Sequence, residues 1–181
     1  GGSTPVPVYK ALAAARLEWH RVIVIPSDER WVPLDHARSN ARLIRRNLIE
    51  EGAGAELIEL YAEGLDPQAG AALASERIAP LLPLSVLLLG MGEDMHTASL
   101  IPGAEGLAAA LESSAPPVLP IQTAAEPRVT LTVPALCSAT EAFLMITGPE
   151  KREALERAAA LSVEEAPVRA VLKGMMVHYA E

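Results

Sequence analysis

The run Ser85–Gly90 (SVLLLG) constrains this chain more than any other segment. Four consecutive apolar residues without polar alternation cannot be a strand with one wet face. The run is also far too short for a membrane span, which needs ~18 apolar residues. It reads as a buried strand, central in its sheet, with a covering layer on each side. The pattern repeats. Arg21–Pro26 (RVIVIP) and Ala142–Thr147 (AFLMIT) are short, β-branched or apolar runs, and Arg128–Val133 and Met175–Ala180 read as further strands.

Helical signals separate these runs. Thr4 before Pro5 reads as a cap with proline in the first turn, leading into VPVYKALAAARL. Asp35–Glu50 places Ala37, Ala41, Ile44 and Leu48 at helical spacing, with four arginines on the other faces. Asp66-Pro67 opens a helix ending near Pro80, and Pro149 opens another through Ala160. Strands alternating with helices of about ten or more residues predict an α/β fold: a Rossmann-like parallel sheet with helices on both faces. With 181 residues and no linker or repeat, the chain reads as a single domain over 1–181.

Composition narrows the function classes. The net charge of −8, without a basic patch or tail, argues against nucleic-acid or anionic-membrane partners. The lone Cys137, read as a buried small side chain, allows no disulfide framework and no cysteine-based metal cluster. Together with the absence of a basic-then-apolar signal segment, this is the profile expected of a cytoplasmic protein.

Sheets of this kind hold ligands beyond the carboxyl ends of their strands. The residues there are polar: Ser27-Asp28-Glu29-Arg30 after RVIVIP, Met91-Gly92-Glu93-Asp94-Met95-His96-Thr97 after SVLLLG, and Gly148-Pro149-Glu150-Lys151 after AFLMIT. Gly1-Gly2-Ser3-Thr4 makes a fourth such segment if a strand precedes it, and a glycine turn entering a helix can present N–H groups to an anion. Each piece also has a plain structural reading: a cap, a solvated ion-pair cluster, a turn. Gly90-x-Gly92 lacks the third glycine of a dinucleotide fingerprint, and Asp94-x-His96 alone is weak as a metal pair. His20 and His36 are expected to face solvent and His178 to pack.

In order, GGSTP, SDERWVPLDHARSN, LLLGMGEDMHTASLIPG, RVTLTVPAL and TGPEK resemble segments of the 6-phosphogluconolactonase family, which is related in fold to glucosamine-6-phosphate isomerase/deaminase. The resemblance implies hydrolysis of 6-phospho-D-glucono-1,5-lactone to 6-phospho-D-gluconate, in the oxidative pentose phosphate pathway, without metal or organic cofactor. It places the catalytic histidine at His96 and its neighbouring acid at Asp94. It puts phosphate contacts at Ser3 and Thr4 and matches Arg30 and Arg128 to family arginines; with Gly2, Asp28, Gly92 and Lys151 from the same loops, these are the candidate substrate and phosphate contacts. The implied partner is a small phosphorylated sugar lactone, bound by a monomer or weak dimer. The family carries a helix and a strand before its GGST segment, so the N-terminal helix and first strand are expected to be missing here.

Three departures stand out. Met95 occupies a position where the family usually has glycine, and Thr123-Ala124-Ala125-Glu126-Pro127 replaces a lysine-containing proline stretch. Ile101 stands seven residues after Asp94, where the related isomerases carry a glutamate for ring opening. Isomerase or deaminase chemistry is therefore the lesser alternative, beside a sugar-phosphate-binding homologue with little or no catalysis.

Overall fold

The computed structural model describes residues 4–181, so Gly1, Gly2 and Ser3 lie outside the described residues. Eight strands and six α-helices follow in order: α1 Val6–Ala13, β1 Ile23–Val24, β2 Asp28–Arg30, α2 Asn40–Ile44, β3 Glu56–Leu57, α3 Pro67–Ile78, β4 Val86–Leu89, α4 Leu107–Leu111, β5 Val118–Ile121, β6 Arg128–Leu131, α5 Val133–Cys137, β7 Glu141–Thr147, α6 Pro149–Ala158 and β8 Met176–Ala180. A π-helical turn, Arg45–Ile49, continues α2.

Parallel ladders join β1 to β3 and run through β4, β7 and β8. The α/β class expected from the alternation therefore holds. The Arg128 strand is the exception. β6 lies antiparallel between β2 and β5, pairing Asp28 with Thr130 and Arg30 with Arg128. The cause is local, because only six residues link β5 to β6, and parallel strands need a crossover of about a dozen or more. Pro120 keeps β5 at the edge of this sheet.

Helix boundaries shift for similar reasons. The second helix starts at Asn40 rather than Asp35, because Ser39 is its cap and accepts from the Arg42 N–H at 3.1 Å. In α1 the cap position falls on Pro5, not Thr4, and no side chain caps it. Asp66 does cap α3, accepting from the Ala69 N–H at 2.8 Å.

The main core lies between the β4–β7–β8 sheet, the β2–β6–β5 sheet and helices α3 to α6. Ile78, Leu100, Ile121, Val129 and Leu144 are each 0% exposed there. Each such side chain contributes ~1.5–3 kcal/mol of burial free energy. A second, smaller core of Ala13, Ile44, Leu48 and Ala53 holds α1, α2 and the β1–β3 ladder together. A cavity of about 820 Å³ reaches both β1 and β4. Among the described residues, β4 pairs only with β7, so SVLLLG is an edge strand rather than the expected central one. Leu87 and Leu89 face the core while Val86 is 64% exposed, and the unpaired edge of the strand borders that cavity. Cys137 is likewise not the buried residue expected: it ends α5 exposed, its thiol 3.5 Å from the Ala170 carbonyl.

Candidate functional site

The turn after β4 carries the histidine. The Gly92 N–H donates to the His96 carbonyl and the Met95 N–H to the Gly92 carbonyl, both at 3.0 Å. The Thr97 hydroxyl donates to the Gly90 carbonyl at 2.8 Å. Closing so tight a turn forces two non-glycine residues into the left-handed region, Met95 at φ 65° and Ala98 at φ 49°. Met95 is held there by its carbonyl, which accepts from the Val168 N–H at 3.1 Å, and by its partly buried side chain against the core.

Within the turn, His96 Nδ1 lies 2.5 Å from Asp94 Oδ1. Asp94 is more than half exposed and His96 about one-third. A carboxylate accepting from Nδ1–H fixes the tautomer and leaves Nε2 with its lone pair free. Gly92 is required by this contact: a Cβ there would strike both the imidazole and the Asp94 carboxylate.

The second half of the site comes from the antiparallel sheet. Arg30 and Arg128 face each other as cross-strand partners, and both line the cavity that His96 lines. The Arg30 Nη1 donates to the Arg38 carbonyl at 2.7 Å. The Nε groups of Arg30 and Arg128 are buried without a hydrogen-bond partner. Two guanidiniums side by side repel each other, and each holds a buried donor unmet. An anion between them would relieve both penalties.

Asp28 and Glu29, on the strand that carries Arg30, are both buried and hydrogen-bonded. Asp28, 4% exposed, accepts from Ser99 Oγ at 2.7 Å and from Asn40 Nδ2 at 3.0 Å. Glu29, fully buried, accepts from the N–H groups of Arg30, Asn40 and Ala41 and from the Ser39 hydroxyl. Burial pushes its carboxyl above the ordinary value of 4.5, against the pull of those four donors. Burial also raises the Tyr9 phenol, with the Asp28 carboxylate adding to the shift.

Of the residues singled out from sequence, Thr4, Asp28, Arg30, Gly92, His96, Arg128 and Lys151 line this one cavity. Lys151 arrives from the first turn of α6, after the left-handed Gly148. Asp94 stands behind the imidazole rather than in the cavity wall. The candidates Gly2 and Ser3 lie outside the described residues. Ser99, Asn40 and Thr130 were missed. They sit inside the HTASL, RSN and RVTLT segments, but nothing in the sequence tells a buried hydroxyl that braces a loop from one that faces water. His20, His36 and His178 are exposed, and His178 lies beside the Phe143 ring, 5.8 Å between centroids. No three His, Cys, Asp or Glu side chains among the described residues converge as a metal site requires.

Comparison with known proteins identifies the family. The family described as glucosamine-6-phosphate isomerases/6-phosphogluconolactonase matches residues 1–178. A 6-phosphogluconolactonase of Rhizobium meliloti is 42% identical over 179 residues, covering 96% of this chain and 77% of its own length. One from Pseudomonas aeruginosa is 41% identical, covering 99% and 78%. The crystal structure of a 6-phosphogluconolactonase from Shewanella baltica superimposes with a TM-score of 0.94 at 31% identity, over the whole of this chain and 81% of that one. The chain belongs to the glucosamine-6-phosphate isomerase/6-phosphogluconolactonase family.

Proposed function

We propose that residues 1–181 work as one sugar-phosphate lactonase unit that hydrolyses 6-phospho-D-glucono-1,5-lactone to 6-phospho-D-gluconate, with His96 as the base. The carrying observation is the His96–Asp94 contact, 2.5 Å long, in the wall of a cavity that also holds Arg30 and Arg128. With Nδ1 occupied by Asp94, Nε2 takes a proton from water as the water oxygen attacks the lactone carbonyl carbon. The carbonyl electron pair moves onto oxygen, then returns as the ring C–O bond breaks. The imidazolium gives its proton to the departing ring oxygen, and the new carboxylic acid ionises. Arg30 and Arg128 hold the phosphate, with Lys151, Thr4, Gly2 and Ser3 completing the anion site, and Asp28 fixes the strand that presents Arg30. Gly92 lets the imidazole sit close to the backbone. A lactone is reactive enough for positioned general-base catalysis, so neither a nucleophilic side chain nor a cofactor enters this scheme.

Ile101 decides between chemistries within the family. Ring opening of an amino-sugar phosphate calls for a further acid, and at the sequence position where the related isomerases carry it this chain has Ile101. The test is turnover of freshly prepared lactone by wild type and His96→Ala. Wild type should exceed the spontaneous reaction clearly, and the variant should lose ~100-fold to ~10,000-fold in kcat while keeping its melting temperature. A wild-type rate equal to the spontaneous one would leave a binding protein only. A variant within a few-fold of wild type would remove His96 from the mechanism.

A further inference from the structure

The two halves of the site belong to different sheets. His96 rides on the turn after β4 of the parallel sheet, whereas Arg30 and Arg128 end a ladder of the antiparallel one. Something must set the distance between them, and Ser99 is placed to do so. It is 0% exposed. Its hydroxyl donates to Asp28 Oδ2 at 2.7 Å, and its backbone N–H donates to Thr130 Oγ1 at 3.1 Å. Asp28 and Thr130 are cross-strand partners, and Arg30 and Arg128 are the cross-strand pair two residues further along the same strands. Side chains two apart share a sheet face, so Ser99 docks on the face that presents the arginines.

We infer that Ser99, seated on the Asp28–Thr130 pair, is the positioning residue that fixes His96 relative to the two arginines. The inference rests on the lactonase reading above and extends it to residues that never touch substrate. His96 is only three residues upstream of Ser99, across Ala98 in its left-handed conformation. Such a conformation persists only where neighbouring contacts hold it. The Thr130 hydroxyl spends its own proton on the Leu131 carbonyl at 3.0 Å, so its oxygen is committed as acceptor for Ser99. Without Ser99 the turn would keep its internal hydrogen bonds and its tie to Val168, but lose its register on the arginine sheet.

A residue that only sets register should affect turnover, not phosphate affinity. Ser99→Ala and Thr130→Val are expected to lower kcat by roughly 100-fold, the scale of an ångström-level misplacement, and to leave KM within roughly two-fold. Calorimetric affinity for 6-phosphogluconate should be unchanged. Thr130→Ser keeps the accepting oxygen and should retain wild-type turnover. If Ser99→Ala melts early, the Thr130→Val and Thr130→Ser pair decides alone. Unchanged kcat in folded Ser99→Ala and Thr130→Val would overturn the inference. So would a rise in KM at constant kcat, or a Thr130→Ser variant as poor as Thr130→Val. Hydrogen exchange at residues 95–100 separates this outcome from failure of the lactonase reading. It should speed up in Ser99→Ala and Thr130→Val and stay slow in Thr130→Ser, whatever wild type does to the lactone. No difference among the three would sink the positioning role by itself.

Discussion

At Gly92 a single hydrogen separates a working geometry from a blocked one. A methyl group there would occupy space held by the His96 ring and the Asp94 carboxylate, so one of them must move. Gly92→Ala should therefore lower kcat by roughly 10-fold to 100-fold, the range expected for a displaced catalytic group. Phosphate-end binding should survive, because Arg30 and Arg128 lie on the other sheet. Steady-state kinetics with product-inhibition measurements would check this, and an unaltered kcat would show that the imidazole can shift without loss. His96 and Asp94 could be singled out in the sequence because they sit in a polar loop after an apolar strand and match the family's motif; their spacing alone is a weak signal. Strain at Met95 could be suspected once glycine was expected there, and its φ of 65° bears that out. The left-handed Ala98 carried no signal, since alanine neither requires nor advertises that conformation.

Among the elements, β2 shows most clearly where sequence reading stops. Asp28-Glu29-Arg30 looks like a solvated charge cluster, yet Asp28 and Glu29 are buried and the segment is a strand. Charged residues form a buried strand here because α2 begins against them. Its first N–H groups, at Asn40 and Ala41, donate to the Glu29 carboxylate at 2.7 and 2.8 Å. That match between a helix start and a carboxylate is tertiary, so no local pattern could announce it. β5, with its internal proline, and the five-residue helices α4 and α5 were illegible for a simpler reason: they are too short to establish a period. Glu29→Gln tests the helix-start role. One amide nitrogen would face N–H donors, so wild type should be the more stable by about 2 kcal/mol. The pH dependence follows from the raised carboxyl. The folded state binds the proton more readily than the unfolded chain, so the Glu29 contribution is full below the unfolded value of 4.5 and is lost as pH rises through the folded one. The stability difference between wild type and Glu29→Gln should shrink as pH rises above about 4.5 in urea titrations. A difference that grows over that range would mean the donors, not burial, dominate the carboxyl.

Across the whole molecule, stability is unevenly divided. The main core gathers the buried faces of two sheets and four helices, whereas α1, α2 and the β1–β3 ladder rest on the smaller cluster around Ala13, Ile44, Leu48 and Ala53. The two bodies meet across a cavity of about 820 Å³, where β1 and β4 contribute walls without pairing to each other. Ile23 and Val86 are 42% and 64% exposed on those strands. The α/β class was readable from apolar runs alone, but this division was not, because periodicity reports which face of an element is apolar and not how much covers it. The consequence is local opening. The Glu56 amide of β3, which donates to the Val22 carbonyl just before β1, should exchange at least ~10-fold faster than those pairing β4 with β7, since small clusters open below the global unfolding free energy. Thr4 and the edge of β1 lie on the weaker body, while His96, Arg128 and Lys151 lie on the stronger one. Phosphate occupying the Arg30–Arg128 pair should then slow exchange in β2 and in the His96 turn more than in β3. Equal protection of both ladders in the unliganded protein would show that the cavity is no line of weakness, and that the two clusters unfold as one.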